Sequence, residues 1–229
     1  ATDFSYRCRF VLRLTAVSGY SNACDEVLWY QTKPEIVQDV IVSIKPTSTI
    51  SYPVIYWKQV TGDEIFGYEI DRYNGFSWPT IITVPPDSSS YLDETVTDGC
   101  TQSYAYVIVT VDKCMNRSAP SYIPVKQTLK LNLPPIDDCE RLAKLSWNPY
   151  NAMPGGLGGY RIFREVDGVA TEIATTSDTS YTDAYQFENG KNYIYYVQAY
   201  SASGSGVSSS CREGSTFNGA NIPDSVYIT

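Results

Sequence analysis

Carboxylates are the side chains of this sequence best suited to chemistry, because its 229 residues include no histidine. Without histidine, neither a Ser-His-Asp nor a Cys-His arrangement can form. Acidic pairs occur at Asp63-Glu64, Asp93-Glu94 and Asp137-Asp138. A glycosidase holds two carboxylates across a cleft, but these pairs fall in turns between predicted strands, where solvated acids are common. We therefore predict no catalytic residues and expect that the chain is not an enzyme.

Metal and cofactor motifs are also missing from the sequence. No Cys-x-x-Cys occurs, which together with the lack of histidine excludes the usual zinc sites. Calcium bound by Asp93, Glu94 or Asp98 stays an alternative, although no Asp-x-Asp-x-Asp-Gly spacing supports it. The glycine-rich stretch 155–159 is followed by no Gly-Lys-Ser/Thr and opens no helix, so we predict a flexible loop there. We expect no cofactor.

Composition favours an all-β protein that does not bind nucleic acid. Apolar residues make up 43% of the chain and 20 residues are Tyr. Branched and aromatic side chains suit a pleated, half-buried surface. The net charge is −8, which repels phosphate backbones. No apolar run is long enough to cross a bilayer as a helix.

The sequence contains an internal repeat of short, alternating segments. Trp57 corresponds to Trp147, and a Gly-Tyr-x-Ile-x-Arg segment occurs at 67–72 and again at 159–164. Turn dipeptides follow at Asn74-Gly75 and Asp167-Gly168, and both suit tight hairpins. The later matches are 90–93 with 180–183 and 104–110 with 193–199. Short strands at regular spacing predict a β-sandwich.

The order of these landmarks resembles the fibronectin type III fold. The resemblance implies tandem fibronectin type III or immunoglobulin-like β-sandwiches of seven strands each, with modules at 34–130 and 131–217. Residues 1–33 resemble strands F and G of a truncated module, and 218–229 a linker. Pro34 and 133–135 are expected to mark the junctions. The core side chains implied are Trp57, Trp147, Tyr91, Tyr104, Tyr181 and Tyr193.

Six cysteines in a small β-rich chain favour disulfides in an oxidising compartment. The candidates are Cys8, Cys24, Cys100, Cys114, Cys139 and Cys211. Reduced thiols in a cytosolic protein are the alternative. Cys100 and Cys114 flank one predicted strand, whose length of roughly 33 Å exceeds the span of a disulfide. We expect that these two do not pair, and that Cys139 pairs with Cys211 inside the last module.

A closer resemblance lies around the junction. Residues 111–121 and the Leu-Ser-Trp-Asn-Pro-Tyr run at 145–150 resemble Bacteroidota surface proteins that carry a gliding-motility-associated C-terminal domain. That domain is the type B sorting signal of the type IX secretion system. The sequence departs at Met115, where the family usually has Gly. The resemblance implies that the natural chain continues past Thr229 into the sorting domain. An upstream extension is expected from residues 1–33, because two strands alone are marginally stable in water. Separately, the Asp-Ser-Val run at 224–226 resembles the acceptor motif for O-linked glycans in Bacteroidota, which makes Ser225 a candidate O-glycosylation site.

Two functions are expected from these features. The first is a structural spacer, in which modules stacked end to end present another domain outside the cell. Its partners would be neighbouring modules of the same chain and outer-membrane attachment components of type IX secretion. The alternative is an adhesin, or a carbohydrate-binding accessory module of a secreted hydrolase that takes a glycan or surface ligand. A platform for sugars built on Phe76 and Trp78 would serve this function, although the alternation of Phe76-Ser77-Trp78 is most simply that of a packing pair on an outer strand.

Overall fold

The computed structural model describes residues 33–46, 50–62, 64–137 and 139–219. All regular structure in these ranges is β-strand, joined by turns and irregular segments. Pairing between neighbouring strands of the sheets is antiparallel throughout. The all-β class expected from the branched and aromatic composition is therefore confirmed.

The first unit consists of two facing sheets. Its strands are β1 (Gln38–Pro46), β2 (Ser51–Lys58), β3 (Ile65–Arg72), β4 (Thr80–Val84), β5 (Ser90–Leu92), β6 (Ala105–Asp112) and β7 (Lys126–Gln127). One sheet has the order β1-β2-β5 and the other the order β4-β3-β6-β7.

The second unit repeats this plan. Its strands are β8 (Leu131–Asn132), β9 (Ala143–Trp147), β10 (Leu157–Val166), β11 (Val169–Thr176), β12 (Ser180–Asp183), β13 (Asn192–Ser201), β14 (Val207–Ser209) and β15 (Glu213–Thr216). One sheet has the order β12-β9-β8, and in the other β11-β10-β13 is completed by β14 and β15, which both pair with β13.

This strand order is the fibronectin type III plan of three strands facing four. The first unit has the seven expected strands, whereas the last strand of the second unit is split into β14 and β15. The interruption lies at Ser210, whose hydroxyl accepts a hydrogen bond from Val197 N at 3.0 Å. The Ser210 side chain thus takes the place of a backbone acceptor in the pairing with β13. Backbone pairing with β13 begins again at Glu213, two residues after Cys211.

Each unit has its own apolar core around a tryptophan. Trp57 packs edge-on against Tyr68 with ring centroids 5.5 Å apart, and Trp147 packs against Tyr160 at 5.4 Å. Both tryptophans are buried, as is Tyr193. The other expected core tyrosines, Tyr91, Tyr104 and Tyr181, are half-buried and pack at the margins of the two cores.

Close backbone approach explains one repeated glycine. A side chain at Gly67 would collide with the carbonyl oxygen of Val84 on the neighbouring strand β4. Gly159, its counterpart in the repeat, has a φ of 139°, a conformation that L side chains rarely adopt. Both glycines are the third residue of their strand, β3 or β10, and each directly follows a register shift, so only glycine fits at either position.

The connection between the units is shorter than the proline pattern suggests. Strand β7 ends at Gln127 and β8 begins at Leu131, so residues 128–130 form the link. Leu129 is already buried in the core of the second unit. The expectation that residues 133–135 mark the junction is wrong, because they follow β8 inside the second unit.

Candidate functional site

The link between the units is held from both sides by hydrogen bonds. Thr128 N donates to Tyr104 O at 3.0 Å in the first unit. The side chain of Asn148, in the second unit, accepts from Lys130 N at 2.6 Å and donates to Thr128 O at 3.2 Å. Each end of the three-residue link is thus fixed to a different unit, which leaves little freedom for bending.

The two units also meet along strand edges. β1 of the first unit runs beside β14 of the second, and side chains bridge them. Ser208 Oγ donates to Val42 O at 2.7 Å, and Ser209 N donates to Ser43 Oγ at 2.9 Å. Unpaired backbone groups on an edge strand otherwise invite pairing with another chain. The contact is lateral, whereas the sequence suggested modules stacked end to end.

Tyr150 is the central side chain of this junction. Its hydroxyl accepts from Val42 N and donates to Val42 O, both at 2.9 Å. Burial raises its pKa to about 12, against hydrogen bonds to Val42 and Ser208 that lower it. The phenol therefore stays protonated at neutral pH and satisfies both backbone groups of Val42.

A disulfide between Cys100 and Cys211 closes the junction covalently. The two Cα atoms are 5.6 Å apart, and 111 residues separate them in the chain. Cys100 belongs to the loop before β6, and Cys211 follows β14, so the bond links the two units. A cleft of about 210 Å³ beside it is lined by Pro46 and Ser51 of the first unit and Arg212 of the second.

The disulfide settles two expectations about pairing. Cys100 and Cys114 do not pair with each other, as predicted from the length of β6. The expected Cys139–Cys211 pair is wrong, and Cys139 is an exposed free thiol. Its turn is organised locally, because Asp137 accepts from Cys139 N at 2.9 Å, while Cys211 faces the first unit. Cys114 is also disulfide-bonded. Cys8 and Cys24 lie outside the described residues.

The acidic residues serve a buried network that recurs in both units. Asp93 is fully buried and accepts hydrogen bonds from Tyr106 at 2.7 Å and from Arg72 at 2.5 Å. The matching Asp183 accepts from Tyr195 at 2.8 Å and from Arg164 at 2.6 Å. Burial raises the pKa of both tyrosines.

For Asp93, burial opposes ionisation, but hydrogen bonds from Thr95, Tyr106 and Arg72 outweigh it and lower the pKa. The carboxylate proposed as a calcium ligand is therefore occupied by protein donors. Among the described residues no group of three or more acidic or cysteine side chains is placed to hold a metal ion. Asp63 and Asp138, from two of the acidic pairs, lie outside those residues.

The loop expected at 155–159 includes only Gly155 and Gly156, because residues 157–159 already belong to β10. Gly155 and Gly156 have φ values of 72° and 83°. Gly155 lies against Ser203, so the loop packs on the turn after β13. Its surroundings are hydroxyl groups of the second unit, and they do not form a phosphate cradle at a helix start.

An aromatic cluster lies on the first unit. Trp78 contacts Tyr73 with ring centroids 5.0 Å apart and Tyr122 at 5.2 Å. Tyr73 and Tyr122 are 45% and 41% exposed. The rings line a cleft of about 820 Å³ whose polar lining includes Gln102, Ser103 and Gln127. We call this the aromatic cleft.

The sequence identified part of this cluster. Trp78 belongs to it, whereas Phe76, the other expected platform residue, is 97% exposed and is not among the cleft-lining residues. Tyr73 and Tyr122 were missed because they are far apart in sequence from each other. Tyr150 was missed as a junction residue, although the repeat held a signal: it replaces Val60 of the first copy. The proposed glycan acceptor Ser225 lies outside the described residues.

Comparisons with known proteins give a limited picture. No protein-family model matches the chain. It is 28% identical over 141 residues to an amylopullulanase of Thermoanaerobacterium saccharolyticum, covering 55% of this chain and 10% of that protein. The chain thus spans about a tenth of the length of this relative.

Among solved structures, the FN1–FN3 domains of chicken CNTN1 match 81% of this chain and 67% of that one, at 13% identity and a TM-score of 0.35. A match at this score adds nothing to the fold assignment, which rests on strand order.

Within the described ranges, no helix is a candidate membrane span. The chain has a fibronectin type III-like β-sandwich fold, of a kind that is typically non-catalytic.

Proposed function

We propose that this chain is a stiff, non-catalytic spacer in a secreted or cell-surface protein. The observation that carries the proposal is the Cys100–Cys211 disulfide across the junction of two sandwiches. Neighbouring domains move relative to each other by default unless their interface is large and apolar. Here a covalent bond, a hydrogen-bonded link and the edge contact of β1 with β14 all oppose that motion.

The location follows from the redox chemistry of the bond. Disulfides persist in oxidising environments outside the cytosol, and a fibronectin type III-like fold is compatible with an extracellular domain. The sequence resemblance at 111–121 and 145–150 supports export by type IX secretion in a Bacteroidota cell. Neighbouring modules and outer-membrane attachment components would then be the partners, in adhesion or gliding. Surface labelling of the full-length protein in wild-type and secretion-deficient cells tests this route.

The stiffness of the pair can be measured directly by single-molecule energy transfer. Dyes attached through unnatural amino acids at Asp87 and Val169 would report the distance between the units. We expect one narrow distance distribution in the oxidised protein, and a broader one after Cys100 and Cys211 are both replaced by Ala. A Cys139→Ser variant is the matched control and should leave the distribution narrow. A broad distribution in the oxidised wild-type chain would contradict the spacer function.

A second candidate function is a carbohydrate-binding accessory module of a secreted hydrolase. Two observations favour it: the similarity to a segment of an amylopullulanase and the aromatic cleft on the first unit. It is compatible with the spacer function, since a stiff support can also present a binding surface.

A further inference from the structure

We propose that the aromatic cleft of the first unit binds a neutral oligosaccharide through the rings of Tyr73, Trp78 and Tyr122. The inference rests on the second candidate function and is independent of the spacer function. Pyranose rings have an apolar face and a rim of hydroxyls, so they need aromatic surface and neutral hydrogen-bonding groups side by side. Tyr and Trp offer that combination where a ring stays partly wet.

The fold itself does not require these rings. In the second unit, β10 and β11 are joined by Asp167-Gly168 alone, whereas residues 73–79 join the matching strands β3 and β4. The position that corresponds to Tyr73 is Glu165, and the second connection has no aromatic residue. The same pair of strands therefore forms without an aromatic cluster in the second unit. The rings of the first unit are thus not required for packing of the fold.

The shape of the cleft suits a few sugar rings. Its volume of about 820 Å³ falls within the range of sites for small organic ligands, roughly 300–1,000 Å³. Besides the rings, the polar residues that line the cleft include Asn74, Gln102, Ser103 and Gln127. Amides and hydroxyls both donate and accept hydrogen bonds, as sugar hydroxyls require.

The charge of the lining selects a neutral ligand. Among the described residues, no carboxylate lines the aromatic cleft, and the one formal charge in its lining is that of Arg72. The Arg72 guanidinium is paired with the buried Asp93 carboxylate at 2.5 Å, which offsets its positive charge. The chain as a whole carries a net charge of −8, which opposes sulfated or phosphorylated ligands.

Both segments that supply the rings are held in place before any ligand binds. The side chain of Asn74 accepts hydrogen bonds from Phe76 N at 3.0 Å and Ser77 N at 2.9 Å, which fixes the loop of Trp78. Lys126 Nζ donates to Ser121 O at 3.0 Å and to Pro124 O at 3.3 Å, which fixes the loop of Tyr122. Pre-organised groups lose less entropy when they bind.

Isothermal titration of the intact, oxidised chain with maltohexaose, cellohexaose and xylohexaose tests the proposal. We expect at least one of them to bind. Trp78→Ala and Tyr122→Ala should each weaken that binding by about tenfold or more, because truncating a central aromatic contact costs this much. Val169→Ala, at the exposed turn of the second unit, is the matched control and should bind like the wild type. Thermal melts of all variants separate lost binding from lost folding.

Three results would overturn the proposal: no binding of any of the hexasaccharides, binding that a folded Trp78→Ala variant retains, or binding of a decaproline peptide in their place. The last result would identify the cleft as a peptide site. The distance distribution between the units does not depend on Trp78. A failed titration with a narrow distribution would therefore remove the glycan site and leave the spacer function standing.

Discussion

Asp93 and Asp183 occupy equivalent positions, and each accepts hydrogen bonds from one tyrosine and one arginine inside its unit. A buried carboxylate is costly unless such partners compensate for lost hydration. The sequence shows that Arg, Asp and Tyr recur in both copies, but it did not predict that the three side chains form hydrogen bonds with one another. Three separate strands bring them together, and pattern alone does not fix the pairing of side chains across strands.

This network predicts a specific dependence of stability on pH. The pKa of Asp93 is lowered in the folded chain, so its ionised form stabilises the fold above the unfolded pKa near 4. That contribution is lost as pH falls through the folded pKa. Asp93→Asn should lower the free energy of unfolding by about 1–3 kcal/mol at pH 7. The difference from wild type should shrink below about pH 4 in urea titrations.

The control for this experiment is Asp167→Asn, because Asp167 is a solvated residue of a tight turn. Its ion pair with Lys191 spans 3.3 Å between side chains that are 36% and 73% exposed. Exposed pairs contribute little, so the change should stay within about 0.5 kcal/mol. A constant difference between wild type and Asp93→Asn from pH 7 to pH 3 would disprove the role of the Asp93 charge.

At the scale of elements, the repeat predicted the order of strands, since turns, glycines and alternating segments recur together. It did not predict the split of the last strand at Ser210 or the contact of β1 with β14. The split depends on a side-chain hydrogen bond of Ser210 to Val197, and the contact of β1 with β14 depends on what the second unit packs against. The informative positions were those at which the two copies differ, such as Val60 against Tyr150 and Glu165 against Tyr73. Residues shared by the two copies are those that the fold requires, whereas positions that differ identify the contacts specific to one copy.

Tyr150→Phe tests the edge contact of β1. Removing the hydroxyl leaves the buried Val42 N–H without its acceptor, which should lower the free energy of unfolding by about 1–3 kcal/mol. Tyr56→Phe, on an exposed site of β2, is the matched control and should change stability by less than about 0.5 kcal/mol. Urea unfolding followed by tryptophan fluorescence measures both. Equal stabilities of the two variants would show that the phenol contact contributes nothing.

For the whole molecule, the junction decides the function, and it was the part least accessible from sequence. The cysteine count predicted disulfides, and strand length excluded the Cys100–Cys114 pair. The partner of Cys211 could not be found in the same way, because it lies in another unit. Closing a loop of 111 residues constrains the unfolded chain by about 4–5 kcal/mol in the chain-entropy model. The same bond limits relative motion of the folded units.

Non-reducing peptide mapping tests the covalent junction most directly. The oxidised chain would be alkylated at its exposed thiol, digested at low pH to prevent exchange, and analysed by mass spectrometry. The structure predicts a cross-linked peptide pair that joins Cys100 to Cys211, and an alkylated Cys139. A disulfide between Cys139 and Cys211, or free thiols at Cys100 and Cys211, would contradict the covalent bond between the two units. It would also contradict the proposed function as a stiff spacer.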